Sequence, residues 1–225
     1  MSDSTVEIDA IARRIVAPES WHSAREALLA EEKAHMRAGD RLAARRRRLP
    51  WQSVGGDYVF QSPAGELGLA DLFEGRRQLI VYHHMLRPAD PAPCSGCGMV
   101  GDQIPHLAHL QQRDTTLAFV SRAPIAEIEA FRARMGWSMP WYECTEAFNA
   151  DFDVHQEFGV NVFYRAGAAV YRTYFATGRS VEALGTIWSF LDLTPLGRQE
   201  AWEDAPAGTP QGAPYTWWRL HDEYA

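Results

Sequence analysis

Leu79-Ile80-Val81-Tyr82-His83-His84-Met85 is an apolar run that empties, through Leu86-Arg87-Pro88-Ala89-Asp90-Pro91-Ala92-Pro93, into Cys94-Ser95-Gly96-Cys97. A strand-like segment delivering a Cys-x-x-Cys to the start of a helix is the placement of a redox dithiol. Two of the chain's three cysteines sit here. Three thiols do not make a disulfide framework, and a reducing compartment keeps such a pair reduced between reactions.

Working outward, Tyr58-Val59-Phe60 and Leu67-Gly68-Leu69 flank the turn residues Ser62-Pro63-Ala64-Gly65, which reads as a hairpin. After the cysteines, residues 96 to about 112 read as one helix, and residues 115–121 as a strand. Pro124 opens a further helix with Ile125, Ile128, Phe131 and Met135 on one face, closed by Gly136. Residues 137–153 are aromatic and read as irregular. Residues 160–164 and 169–175 form a hairpin about Arg165-Ala166-Gly167-Ala168, and Ser180 caps a last helix through Trp188 and Leu191. The order β-α-β-α-β-β-α predicts an α/β fold, a thioredoxin-like central mixed sheet flanked by helices.

On the N-terminal side, Ser23 with Glu26 fits a capping box. Trp21, Ala24, Leu28, His35, Ala38 and Leu42 recur at helical spacing, ahead of the run Arg45-Arg46-Arg47-Arg48. Such a helix, on the order of 40 Å long at 1.5 Å per residue, must lie across the domain or a neighbouring subunit, so a homo-oligomer is expected. The cations complement the end of the helix dipole, with contact to an anionic partner as the alternative. On the C-terminal side, residues 205–214 are rich in Pro, Gly and Ala and read as a linker to an aromatic tail with Tyr215, Trp217, Trp218 and Tyr224. That tail is expected to cover the cysteines or a subunit boundary. The division is thus residues 1–50, a long N-terminal helical arm; 51–200, the α/β domain; and 201–225, linker and aromatic C-terminal tail.

The formal charge of −7 disfavours nucleic acid as a partner. No apolar run reaches the roughly 20 residues of a membrane span, and residues 1–20 lack the pattern of a signal peptide. A cytoplasmic protein is expected.

Cys94, at the helix N-terminus, is the expected attacking thiol, because unpaired N–H groups and the dipole favour its thiolate. Cys97, one turn on, is the expected resolving thiol. The partners implied are a thiol or disulfide substrate, protein or small molecule, and a reductant, with no cofactor. Arg122, past a strand end, and the aromatic Trp137 and Trp141 are the candidates for substrate contact. Peroxide reduction is a subcase that needs such a cation. Two other readings stand beside this one: a redox-silent scaffold, and metal held by Cys94, Cys97 and a remote histidine such as His155. Cys97 and His109 are 12 residues apart, about 18 Å on a continuous helix, too far for a shared ion. Cys144 reads as a packed thiol, with a resolving partner reaching in from the loop as the alternative.

The chain resembles a bacterial family of thioredoxin-like proteins catalogued as domain of unknown function 899 and labelled dithiol-disulfide oxidoreductases. The likeness rests on Asp71-Leu72-Phe73, Tyr82-His83-His84-Met85, Cys94-Ser95-Gly96-Cys97, Val120-Ser121-Arg122-Ala123-Pro124, Arg134-Met135-Gly136-Trp137, Phe148-Asn149-Ala150-Asp151-Phe152 and Trp217-Trp218-Arg219 with His221-Asp222-Glu223-Tyr224. It implies the fold and suggests dithiol chemistry, without a substrate. Redox-active thioredoxins place a proline before the strand facing the pair. Gly159-Val160-Asn161-Val162-Phe163 has none, and residues 86–93 add a loop before Cys94, so a different docking edge is expected.

Overall fold

The computed structural model describes residues 4–8, 10–155 and 158–224; the extreme ends of the expected arm and tail, residues 1–3 and 225, lie outside them. The chain divides into two compact units, residues 1–49 with 190–216 and residues 50–189 with 217–225.

In the first unit, strands β1 (Ser4–Ile8) and β2 (Ile11–Ile15) form an antiparallel hairpin. The Ala12 amide donates to the Ala207 carbonyl at 3.1 Å, and Arg13 to the Pro195 carbonyl at 3.1 Å. The residues read as a linker are therefore tied down: the chain returns on itself through a bridge between Glu200 and Gly212. The buried Glu200 accepts from the Trp202 indole and the Tyr215 amide. Helix α1 (Pro18–Arg46) is 29 residues long and unbroken at Gly39-Asp40. The expected capping box does not form. Pro18 takes the first helical position, where its missing N–H costs nothing, and Ser23 lies inside the helix with its hydroxyl on the Glu19 carbonyl at 3.1 Å.

In the second unit, β3 (Gln52–Val54), the hairpin β4 (Val59–Ser62) and β5 (Gly65–Gly68), and β6 (Gln78–His83) precede helix α2 (Ser95–Asp102). The expected helix over residues 96–112 breaks, because Pro105 has no amide to donate and disfavours helical geometry at Ile104. Only the short α3 (Ala108–Gln111) follows. Next come β7 (Thr115–Ser121) and α4 (Ile125–Arg134), the latter closed by Gly136 at φ +64° as its sequence requires. The segment expected to be irregular holds β8 (Trp141–Glu143) and α5 (Glu146–Asp151), the latter capped by Thr145. Strands β9 (Gly159–Ala166) and β10 (Ala169–Ala176) turn at Gly167, φ +61°. The last expected helix is interrupted at Gly185: a 3₁₀ segment over Gly178–Leu184, then α6 (Ile187–Asp192). Gly185 leaves room for the Trp188 ring.

These strands form one mixed sheet in the order β3-β10-β9-β6-β7-β8-β4-β5. β6, β7 and β8 are parallel; β9 runs antiparallel to β6. Every residue of β7 is buried, as a central strand with packing on both faces must be. One face gathers Leu79, Val81, Ala118, Val120, Phe148 and Phe163; the other gathers Tyr82, Leu117, Phe119, Ile128, Phe131 and Trp141 with Cys97 and Val100 of α2. No helix among the described residues is long and apolar enough to cross a membrane.

Successive residues at the end of β6 point to opposite faces, and the two histidines there meet different surroundings. His83 is fully partnered. Arg172 Nε donates to Asn161 Oδ1 at 2.7 Å, so Asn161 Nδ2 donates to His83 Nε2 at 3.1 Å, and His83 Nδ1 donates to Asn149 Oδ1 at 2.8 Å. His84, ringed by Tyr82, Phe119, Phe131, Trp137 and Trp141, has no hydrogen-bond partner among the described residues at either ring nitrogen. Burial lowers the pKa of His83 to about 4 and that of His84 to about 3.

Both histidines are therefore neutral in the fold, whereas the unfolded chain binds their protons near pH 6.5. Their contribution to stability is fully present above that value. It is lost as pH falls from about 6.5 toward 4 for His83 and 3 for His84. Urea unfolding across this range is expected to show stability falling by up to about 2.7 kcal/mol per pH unit, two protons at about 1.36 each. His84→Phe should remove about half of that slope.

Candidate active site

Beyond β6 the chain is held in place before it reaches the cysteines. The His84 amide donates to the Val120 carbonyl at 2.8 Å, the Ala123 amide to the Leu86 carbonyl at 3.0 Å, and the Ala89 amide to Glu127 Oε2 of α4 at 2.8 Å. The added loop is thus fastened to the β7–α4 connection and to α4. It delivers Cys94 to the N-cap of α2, where its Sγ accepts the Cys97 amide hydrogen at 3.3 Å.

The two thiols are unequal. Cys94 is half-buried and its pKa is lowered to about 7, first by the hydrogen bond from the Cys97 side chain, then by the amides of Cys97 and Gly96; burial and the Asp90 carboxylate act the other way. Cys97 is 2% exposed, and burial pushes its thiol well up. The same contact with Cys94 adds to that rise, while the Tyr82 hydroxyl and the Met85 amide hydrogen-bond to the Cys97 sulfur and oppose it. Tyr82 comes from β6 and is itself buried, which holds its phenol protonated. The arrangement provides one accessible sulfur near neutrality and a second, protonated sulfur behind it.

Residues 217–224 lie over α2. A Cβ on Gly96 would fall 2.7 Å from Cζ3 of Trp218, and one on Gly98 would fall 2.5 Å from Cδ2 of Leu220. Glycine at these two positions therefore permits the close approach. Leu220 is buried in the core, and Trp218 packs against Trp188 with ring centres 5.8 Å apart. Polar contacts fasten the same segment. Arg134 forks onto Asp222 at 2.7 and 2.9 Å and reaches Glu223 at 2.9 Å, and Asp102 Oδ1, at the far end of α2, meets His221 Nδ1 at 2.7 Å.

Of the residues expected to contact substrate, Trp141 belongs to the core cluster that holds Cys97, and Cys94 and Trp137 pack against that cluster. Arg122 pairs with Glu146 at 2.8 Å, and its charge is felt by Cys144. Trp141 is 1% exposed, with its indole N–H on Ser121 Oγ at 3.0 Å. Trp137 donates to Asp102 at 2.8 Å and packs on Gly101. It also lines a cavity of about 420 Å³ with Ile104, Pro105, Leu107 and Met139, to which neither cysteine contributes. Cys144 is buried, its thiol pushed up to about 12 by that burial, and donates to Asn149 Oδ1 at 3.7 Å. His155 is exposed, and among the described residues no group of three or more His, Cys, Asp or Glu side chains is placed to hold a metal ion. Sequence reasoning missed Tyr82 and Asp102. Strand alternation puts Tyr82 on the face opposite His83, but nothing in the sequence says that α2 covers that face.

A family model described as "Bacterial protein of unknown function (DUF899)" matches residues 11–224. No curated protein matches the chain. Similar solved structures include a hypothetical protein from Sinorhizobium meliloti 1021, 11% identical, covering 57% of this chain and 71% of that one at a TM-score of 0.37. A candidate protein disulfide isomerase from Bacteroides thetaiotaomicron is 14% identical, covering 60% and 88% at 0.39. A yeast mitochondrial 1-Cys peroxiredoxin is 14% identical, covering 64% and 78% at 0.40.

Trp218→Ala is expected to accelerate iodoacetamide alkylation of Cys94 severalfold at pH 6 while leaving its titration midpoint in place; an unchanged rate would put the ring away from the sulfur's approach path. Leu220→Ala, which empties a buried site, should cost about 2–5 kcal/mol in urea unfolding.

Proposed function

The chain belongs to the DUF899 family, and on that premise we propose that it is a thioredoxin-like dithiol–disulfide oxidoreductase, with Cys94 attacking and Cys97 resolving. The observation that carries this reading is the inequality of the two sulfurs: Cys94 at the N-cap with its thiol held near neutrality, Cys97 one turn behind it, buried and protonated. The strand order supports the fold assignment, since β6 feeds α2, β7 returns parallel beside it, and the hairpin β9–β10 completes the other side.

In the reducing direction, the Cys94 thiolate attacks one sulfur of a substrate disulfide. The Cys94–substrate S–S bond forms as the substrate S–S bond breaks, and the departing thiolate takes up a proton. Loss of the negative charge on Cys94 removes the part of the Cys97 rise that came from that contact, leaving only the part due to burial. Cys97 then gives up its proton, and its thiolate, hydrogen-bonded by Tyr82 and the Met85 amide, attacks Cys94 Sγ. The Cys94–Cys97 disulfide forms and the second substrate thiol leaves. Two electrons have passed to substrate, and an external dithiol reductant returns them. The substrate is a protein or small-molecule disulfide, and a reducing compartment such as the cytoplasm suits this direction.

Thiolate absorbance should titrate with a midpoint near 7 in the full chain and lose that transition in Cys94→Ser. Cys97→Ser should trap a stable mixed disulfide with 5-thio-2-nitrobenzoate, whereas the parent chain releases it. A pair that glutathione buffers cannot oxidise and reduce reversibly would sink the proposal. Tyr82→Phe removes one hydrogen bond to a charged sulfur, about 1.5–3 kcal/mol; release from the mixed disulfide should slow about tenfold or more, with the first attack unchanged.

A further inference from the structure

The first unit is short of a core. Among its described residues Ile11 is the one buried apolar side chain, yet ten of the thirteen exposed large apolar side chains of the described chain belong to this third of the sequence. Four of them lie on α1, where no residue is buried: Trp21 is 55% exposed, Leu28 52%, Met36 60% and Leu42 46%. Helices in folded proteins owe most of their stability to packing of an apolar face, and this one has left its face open.

The spacing of that face is not random. Trp21, Leu28, His35 and Leu42 recur every seven residues, with Ala24 and Ala38 three residues after Trp21 and His35. A seven-residue repeat keeps one seam in register along a second helix. The charges then select the second helix. Residues 18–32 carry Glu19, Glu26, Glu31 and Glu32 against Arg25, whereas residues 33–46 carry Lys33, Arg37, Arg41, Arg45 and Arg46 against Asp40. The helix dipole accounts for charges in the first and last turns and no further. Glu26, Glu31, Lys33 and Arg37 lie beyond its reach.

We infer that α1 is the surface through which two copies of this chain pair, side by side and antiparallel. In that orientation the acidic half of each helix meets the basic half of the other, and the large Leu28 and Leu42 come within reach of the small Ala38 and Ala24 of the second copy. Parallel pairing would set each half against its own charge. The interface is isologous, so two copies close it. Its affinity falls with salt, because these charges lie on the solvated rim.

Light scattering on the full chain at micromolar concentration should give twice the 25.3 kDa chain mass. Two charge-swapped full-length variants test the surface and its direction. Glu19→Lys with Glu26→Lys and Glu31→Lys gives both halves of the helix a net positive charge; Arg37→Glu with Arg41→Glu and Arg45→Glu gives both halves a net negative charge. Each alone should dissociate at least tenfold more readily than the parent, and an equimolar mixture should recover the dimer mass. Circular dichroism and Cys94 alkylation establish that each variant is folded. A monomeric parent chain overturns the inference, as do swapped variants that dimerise as the parent does or a mixture that stays monomeric.

Discussion

The sulfur of Cys94 accepts hydrogens from both the thiol and the amide of Cys97, and that contact depends on parts drawn from across the second unit. The amide is available because Cys94 precedes the first turn of α2, where N–H groups have no helical partner. The thiol is available because Cys97 is packed out of water and keeps its proton. Burial in turn depends on β6, which supplies Tyr82 beneath the helix, and on Leu220 and Trp218 above it. One sulfur is thus made acidic by making its neighbour less so. A helix with two exposed cysteines would lack that division of labour.

The same sheet supports two different polar solutions on its two faces. Behind His83 an unbroken series of donors and acceptors runs from Cys144 through Asn149, His83, Asn161 and Arg172 to Asp153 at the surface, where Arg172 meets the carboxylate at 2.6 Å. Every step has a partner, so its rigidity follows from satisfied hydrogen bonds. Behind His84 there are only rings. That histidine sits on the dithiol face as a neutral, aromatic-like spacer, two residues from Tyr82. It is tolerated because imidazole can shed its proton where a lysine or carboxylate would carry a larger penalty.

Much of this was legible in the sequence, for reasons that differ by element. The run from Leu79 to His84, the hairpin about Gly167 and the helix closed by Gly136 announce themselves because local chemistry fixes them. Cys-x-x-Cys is likewise a short-range feature that marks the start of its helix, while the end at Asp102, ahead of Pro105, cuts short the expected run to about residue 112. β8 escaped notice because three residues carry no periodicity; what makes Trp141–Glu143 a strand is an edge of β7 left open beside it. Tyr82 under Cys97 and Arg122 beside Glu146 are matters of tertiary placement, on which spacing along the chain is silent. The bridge from Glu200 to Gly212 was hidden by a composition rich in Pro, Gly and Ala, which reads as slack even where buried carboxylates hold it.

The cover over α2 comes from residues numbered some 120 positions beyond Cys97. At about 5–20 residues per second, a ribosome needs roughly 6–25 s to reach Trp218 after the dithiol has been made. Until those residues are made α2 lacks this cover, and Gly96 and Gly98 leave that helix intrinsically weak. The candidate site is thus assembled in two stages, sulfur first and shelter second.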